Sequence, residues 1–225
     1  MPSASFLPRV LACDDPTDGL LGLYLEDLSA AEWPPPWSPG LVADVLAALD
    51  ALARAPVPPG TPSLRAAWER TAGWREVAAD PGPLLSLGLC DERWLRAALP
   101  ILCAAADPTL LDGDALVHMD IRSDNLCRAG DRVVFIDWNW ACRGAAAMER
   151  ALFAPSLHAE GGPPPEALLP AAPGLATLVS GLLAARAGLP ETLVPPGVRA
   201  GQRRQLRVAL PWAARALGLP QPGGV

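Results

Sequence analysis

Two apolar runs flank a short polar segment, and this limits how the middle of the chain can fold. Leu116-Val117 and Arg132 to Ile136 are rich in β-branched and large apolar residues, the pattern of buried strands. The turn Ala129-Gly130-Asp131 lets Leu126-Cys127-Arg128 fold back on the second run as a hairpin. Between and after these runs stand His118, Asp120, Asn125 and Asp137, four polar residues within twenty positions. Strand ends then carry the polar groups, and a single loop gathers them.

Asp120, Asn125 and Asp137 bring three oxygen-bearing side chains to one place, which suits magnesium and phosphate. Magnesium keeps several waters and takes one or two carboxylates beside substrate phosphates, so Asn125 and Asp137 suffice as its protein ligands. Asp120 is then free to act as a base. Phosphoryl transfer asks little more of a protein than positioning and neutralisation of charge. Taken singly, each of the three also fits turn formation or capping, and His118 fits a structural histidine. Asp124 reads as a solvated loop residue, and His158 as a helix-end residue.

Most of the remaining chain reads as helix. Ser38 and Pro39 supply an N-cap and a proline at the first helical position, followed by apolar residues at helical spacing to about Arg54. Further helical patterns run over 64–79, 91–106 with an interruption at Pro100, 145–159, 165–187 and 198–217. Leu20 to Leu25 reads as a short buried strand. Most of the eight tryptophans are expected in core and packing positions.

Composition excludes several classes. A net charge of −6 argues against a broad basic face for nucleic acid. The most apolar long run, 168–185, contains two prolines and two glycines, which favours a buried helix over a membrane span. The five cysteines form no Cys-x-x-Cys pair, so neither a zinc site nor a disulfide framework is indicated, and a reducing cytoplasm fits. No secretory signal opens the chain. All 18 basic side chains are arginine, because the sequence has no lysine.

The pattern His118-x-Asp120-x-x-x-x-Asn125, followed by a strand ending in Ile136-Asp137-Trp138, resembles the catalytic loop and metal-binding aspartate of the aminoglycoside phosphotransferase and choline kinase group of protein-kinase-like enzymes. By that resemblance Asp120 is the catalytic base, Asn125 and Asp137 hold Mg2+, His118 braces the loop, and Arg122 stands at a phosphate-facing position. Leu23 to Leu28 resembles the hinge between lobes, so Leu25, Glu26 and Asp27 are expected to meet the base of ATP or GTP. Glu149 stands where relatives tend to have a structural aspartate, and Met119 where many have glycine.

The implied fold is α+β: a mainly helical large lobe over 29–219 with a small hairpin at the cleft, a small-lobe remnant and hinge over 1–28, and a frayed tail over 220–225. The implied partners are a nucleotide and a hydroxyl-bearing small molecule, with no nucleic acid or membrane. A glycine-rich loop and a phosphate-pairing lysine are absent from the sequence before the hinge. Three readings follow: an active kinase belonging to a longer chain, a pseudokinase that binds a ligand or partner, and a helical interaction protein with an accidental loop match. The C-terminal helices carry few acids, namely Glu149, Glu160, Glu166 and Glu191, which favours an acceptor less cationic than an aminoglycoside.

Overall fold

The computed structural model describes residues 6–14, 22–69 and 73–223. It is dominated by helix, with three two-stranded antiparallel sheets among the described residues. The first sheet pairs β1 (Val10–Cys13) with β2 (Leu23–Leu25). Both strands are exposed, Leu11 by 68% and Leu23 by 53%, so the strand expected to be buried is not. A strand is buried only when other layers cover its faces, and β2 satisfies its backbone on β1 alone. Leu20 and Leu21 lie outside the described residues.

Helix α1 (Pro39–Ala53) forms as its sequence dictates. The Ser38 hydroxyl accepts from the Leu41 N–H at 3.1 Å, Pro39 opens the first turn, and Leu41, Val42, Val45, Leu49 and Leu52 are buried on one face. The stretch expected as one helix over 64–79 is instead α2 (Leu64–Glu69) and α3 (Trp74–Ala79). Gly73 sits at φ 53°, in the left-handed region, where no right-handed helix continues. After the short α4 (Gly82–Leu85), α5 (Glu92–Ala105) starts at Asp91, whose carboxylate caps Trp94 N–H at 2.6 Å. Pro100 does not interrupt α5. Pro100 and Arg96 are both exposed, so the carbonyl that proline leaves unpaired faces water.

Strand β3 (Ala115–Val117) pairs with β6 (Cys142–Gly144), and β4 (Leu126–Ala129) pairs with β5 (Arg132–Phe135) in the expected hairpin, with Gly130 at φ 67° in its turn. Helices α6 (Ala147–Ala159), α7 (Pro165–Leu168), α8 (Pro173–Ala187) and α9 (Val198–Ala216) complete the chain. The expected helix over 165–187 is thus divided, because Pro170 and Pro173 forbid its middle. In the last described segment, the Pro220 carbonyl accepts from Trp94 Nε1 at 2.8 Å.

Two apolar clusters hold these elements. One joins α2 to α5 with α8 and α9 around Trp74, Leu102, Leu206 and Trp212. The other packs α1 against the β4–β5 hairpin and α6, through Leu41, Leu52, Phe135, Phe153 and Phe6. Trp140 departs from the packing role expected of most tryptophans: 67% of it is exposed.

In the first cluster, Trp74 donates from Nε1 to the Thr177 carbonyl at 2.9 Å, and its ring lies against Gly181 of α8. A Cβ on Gly181 would stand 2.6 Å from Trp74 Cδ1, and a buried, hydrogen-bonded indole cannot easily retreat. Gly181→Ala is expected to destabilise the fold by about 1–3 kcal/mol, the usual range for overpacking, read by urea denaturation. Among the described residues, no helix is long and apolar enough to cross a membrane.

Candidate active site

Strand β3 ends at a loop whose backbone is fixed from two sides. His118 is fully buried. Its Nδ1 accepts from the Asp120 N–H at 3.3 Å, so Nε2 carries the proton and donates to the Ile136 carbonyl at 2.8 Å. Its ring packs 4.5 Å from that of Trp138. Burial lowers the His118 pKa, which keeps this tautomer neutral. The geometry is that of a brace between the loop and the end of β5.

From the other side, Glu149 of α6 reaches up under the loop. Its carboxylate accepts from the His118 N–H and, at 3.1 and 3.2 Å, from the Met119 N–H. It is 3% exposed, and burial pushes its pKa up to about 7. Met119 has φ 72°, the conformation glycine adopts without strain. The loop thus keeps the backbone shape that a glycine would favour, and Glu149 holds it there.

Asp120 is half-buried. Asn125 Nδ2 donates to the Asp120 carbonyl at 2.9 Å and to its Oδ2 at 3.0 Å, while Arg122 Nε stands 3.3 Å from Oδ1. Burial raises the Asp120 pKa, Arg122 opposes this, and Asp124 and Asp137 add to it. Asp137 follows Ile136, whose N–H donates to the Asn125 carbonyl at 2.9 Å. Exposed and at φ 62°, Asp137 accepts from Asn139 Nδ2 at 2.5 Å. The structure therefore brings His118, Asp120, Arg122, Asn125 and Asp137 together.

The fit to magnesium and phosphate can be judged from these atoms. With Asn125 Nδ2 turned to Asp120, the Asn125 Oδ1 is left as an acceptor, and the Asp137 carboxylate is exposed. Among the described residues no group of three or more His, Cys, Asp or Glu side chains is placed to hold a metal ion by itself. Arg122 Nη2 pairs with Asp124 at 2.9 Å, but its Nε is shielded from solvent and lacks a hydrogen-bond partner. A phosphate oxygen would complete it.

The three residues expected at a hinge are placed differently from one another. Leu25 ends β2 with 42% of its surface exposed. The Glu26 carboxylate accepts from Arg9 N–H at 2.9 Å and Nε at 2.8 Å and from Arg132 Nη2 at 2.8 and 2.9 Å, and the Arg132 hydrogen bond does most to hold its pKa down to about 2. Its N–H donates to the Arg9 carbonyl at 2.9 Å. Glu26 is thus a tie between the ribbon and the start of β5. Asp27 turns back to accept from the Ser29 N–H at 2.8 Å, and this contact lowers its pKa. Asp137 lies past the other end of β5, five residues from Arg132, or roughly 16 Å along an extended strand.

In the sequence Glu160 stands only among the few acids of the C-terminal helices. In the structure it accepts from Trp37 Nε1 at 3.0 Å and from the Ser123 hydroxyl at 2.8 Å, joining the loop before α1 and the His118–Asn125 loop to the C-terminus of α6. Partners 123 and 37 residues away leave no local sequence signal. His158, as expected, closes the helix end, with Nδ1 3.0 Å from the Gly162 carbonyl.

A comparison with protein-family models matches residues 6–189 to APH, the phosphotransferase enzyme family. No curated protein matches the chain. The match includes the His118–Asn125 loop, the β4–β5 hairpin and the ribbon, so the site just described lies wholly within it: the chain belongs to the APH phosphotransferase enzyme family.

Proposed function

We propose that this protein transfers a phosphoryl group from ATP or GTP to a hydroxyl of a small molecule, in the cytoplasm, with Mg2+ held by Asn125 and Asp137. The single observation that carries this reading is the Asp120 carboxylate: half-buried, aligned by Asn125, its pKa raised by burial, and beside an arginine whose Nε has no hydrogen-bond partner. When bound, magnesium neutralises charge on the phosphate oxygens. Asp120 receives the acceptor's hydroxyl proton, and its raised pKa makes it a better base than an ordinary aspartate. Arg122 turns its Nε to the phosphate, His118 and Glu149 keep the loop in shape, and the exposed ribbon with the Leu25–Asp27 turn offers the apolar surface and backbone groups that meet the base. The large lobe then spans 29–219, with the ribbon and hinge as the small-lobe side of a protein-kinase-like fold.

The acceptor is not a polycation. Each acid on the C-terminal helices is already engaged: Glu149 with the loop backbone, Glu160 with Trp37 and Ser123, Glu166 with Arg215 at 2.7 Å, and Glu191 with Arg203. Little negative charge is left for several ammonium groups. Labelled phosphate from ATP should pass to a neutral or singly charged polyol or amino alcohol rather than to an aminoglycoside. Transfer to aminoglycosides alone would contradict the acceptor class, and the absence of transfer to any hydroxyl would contradict the reaction.

A further inference from the structure

The first turn of α9 puts an arginine where a cation is least expected. The positive end of a 19-residue helix opposes a guanidinium there, and Arg199 is also buried, with 5% of its surface exposed. Its Nη1 donates to Gln202 Oε1 at 2.8 Å, but its Nε is shielded from solvent and has no hydrogen-bond partner among the described residues. Arg186, in the last turn of α8, repeats the pattern: its Nη1 is shielded and without a partner. Of the other arginines on α9, Arg203 meets Glu191, Arg215 meets Glu166, and Arg204 and Arg207 are exposed to water, whereas Arg186 and Arg199 join no ion pair among the described residues.

Both guanidinium groups belong to one junction. Arg203, one turn on from Arg199 on the same face, reaches the Ala187 carbonyl at 3.5 Å, so this face of α9 meets the turn of α8 that carries Arg186. Burial lowers the Arg186 pKa; Glu76 of α3 opposes this, and Arg199 is near enough to add to it. Two like charges with unpaired donors, both withdrawn from water, are unfavourable unless an anion satisfies them together. A guanidinium fork matches an oxyanion in shape and charge better than it matches a spherical halide.

We propose that Arg186 and Arg199 together bind a small oxyanion, a phosphate or carboxylate group, at the junction of α8 and α9. The site shares no residue with the catalytic loop. The connection over 188–197, which joins the two helices at this junction, is largely exposed.

The test is a titration of the full chain with sodium phosphate, sodium acetate and sodium chloride at constant ionic strength, by thermal melting and calorimetry. The expected result is a saturable rise in Tm with phosphate or acetate but not chloride, with Kd at least tenfold weaker in Arg186→Gln and Arg199→Gln and unchanged in Arg54→Gln, an exposed arginine at the end of α1. A response to phosphate alone assigns a phosphate group, and a response to acetate assigns a carboxylate. Should Arg199→Gln fail to fold, the half-buried Arg186→Gln carries the test. Equal responses to all three salts, a response retained by the Arg186→Gln and Arg199→Gln variants that fold, or one lost in Arg54→Gln would overturn the proposal.

Discussion

Glu149→Ala is expected to destabilise the fold by roughly 3–5 kcal/mol, because the buried N–H groups of His118 and Met119 lose their acceptor at about 1–3 kcal/mol each and a cavity opens beneath them. Glu149→Gln, which keeps one acceptor oxygen, should lose far less. The two variants also differ from wild type in pH dependence. The Glu149 pKa stands at about 7 in the fold against an ordinary 4.5, because burial disfavours the charged form. A carboxyl raised in this way contributes stability that is complete below pH 4.5 and is lost as pH climbs through 7. Over that interval the loss is about 3 kcal/mol at 1.36 kcal/mol for each pKa unit. Urea denaturation at pH 5 and pH 8 should show this decline in the wild type and not in Glu149→Gln. A wild-type stability that rises over the same interval would show that the two backbone donors outweigh desolvation.

Asp120→Ala should lower phosphoryl transfer by about 10²- to 10⁴-fold, the range spanned by positioned general bases. Stability should change by no more than about 1 kcal/mol, since the side chain is only half-buried and Asn125 retains the Asp120 carbonyl as a partner. The acid limb of the wild-type rate profile should lie above the ordinary aspartate value, as burial dictates, and it should vanish in Asp120→Ala. Wild-type turnover by the variant would remove Asp120 from the mechanism.

The site was legible in the sequence because its parts are local. His118 to Asn125 form one loop, and the two-residue turn Gly130-Asp131 returns the chain so that Asp137 arrives beside it. Helix α1 was equally legible, since Ser38, Pro39 and an apolar face act within one element. What was hidden depends on contacts between distant segments or on a single backbone angle. Gly73 divides a helix whose side-chain pattern runs on unbroken. Strand β6 is three residues that read as nothing until Cys142 pairs with Val117. The ties of Glu26 were hidden too, because Arg9 and Arg132 reach its carboxylate from distant segments and the Arg9 carbonyl accepts from its N–H. The β2 side chains read as buried because an apolar run says what a strand prefers and nothing about whether another layer covers it.

The most direct test of the central claim is calorimetric titration of the chain with ATP, with and without magnesium, alongside Asp137→Ala. Our account predicts binding that requires magnesium and is lost in the variant, because Asp137 is the exposed carboxylate that the loop and β5 bring to the metal. Magnesium-independent binding, equal binding by Asp137→Ala, or no binding by a well-folded wild-type chain would contradict it.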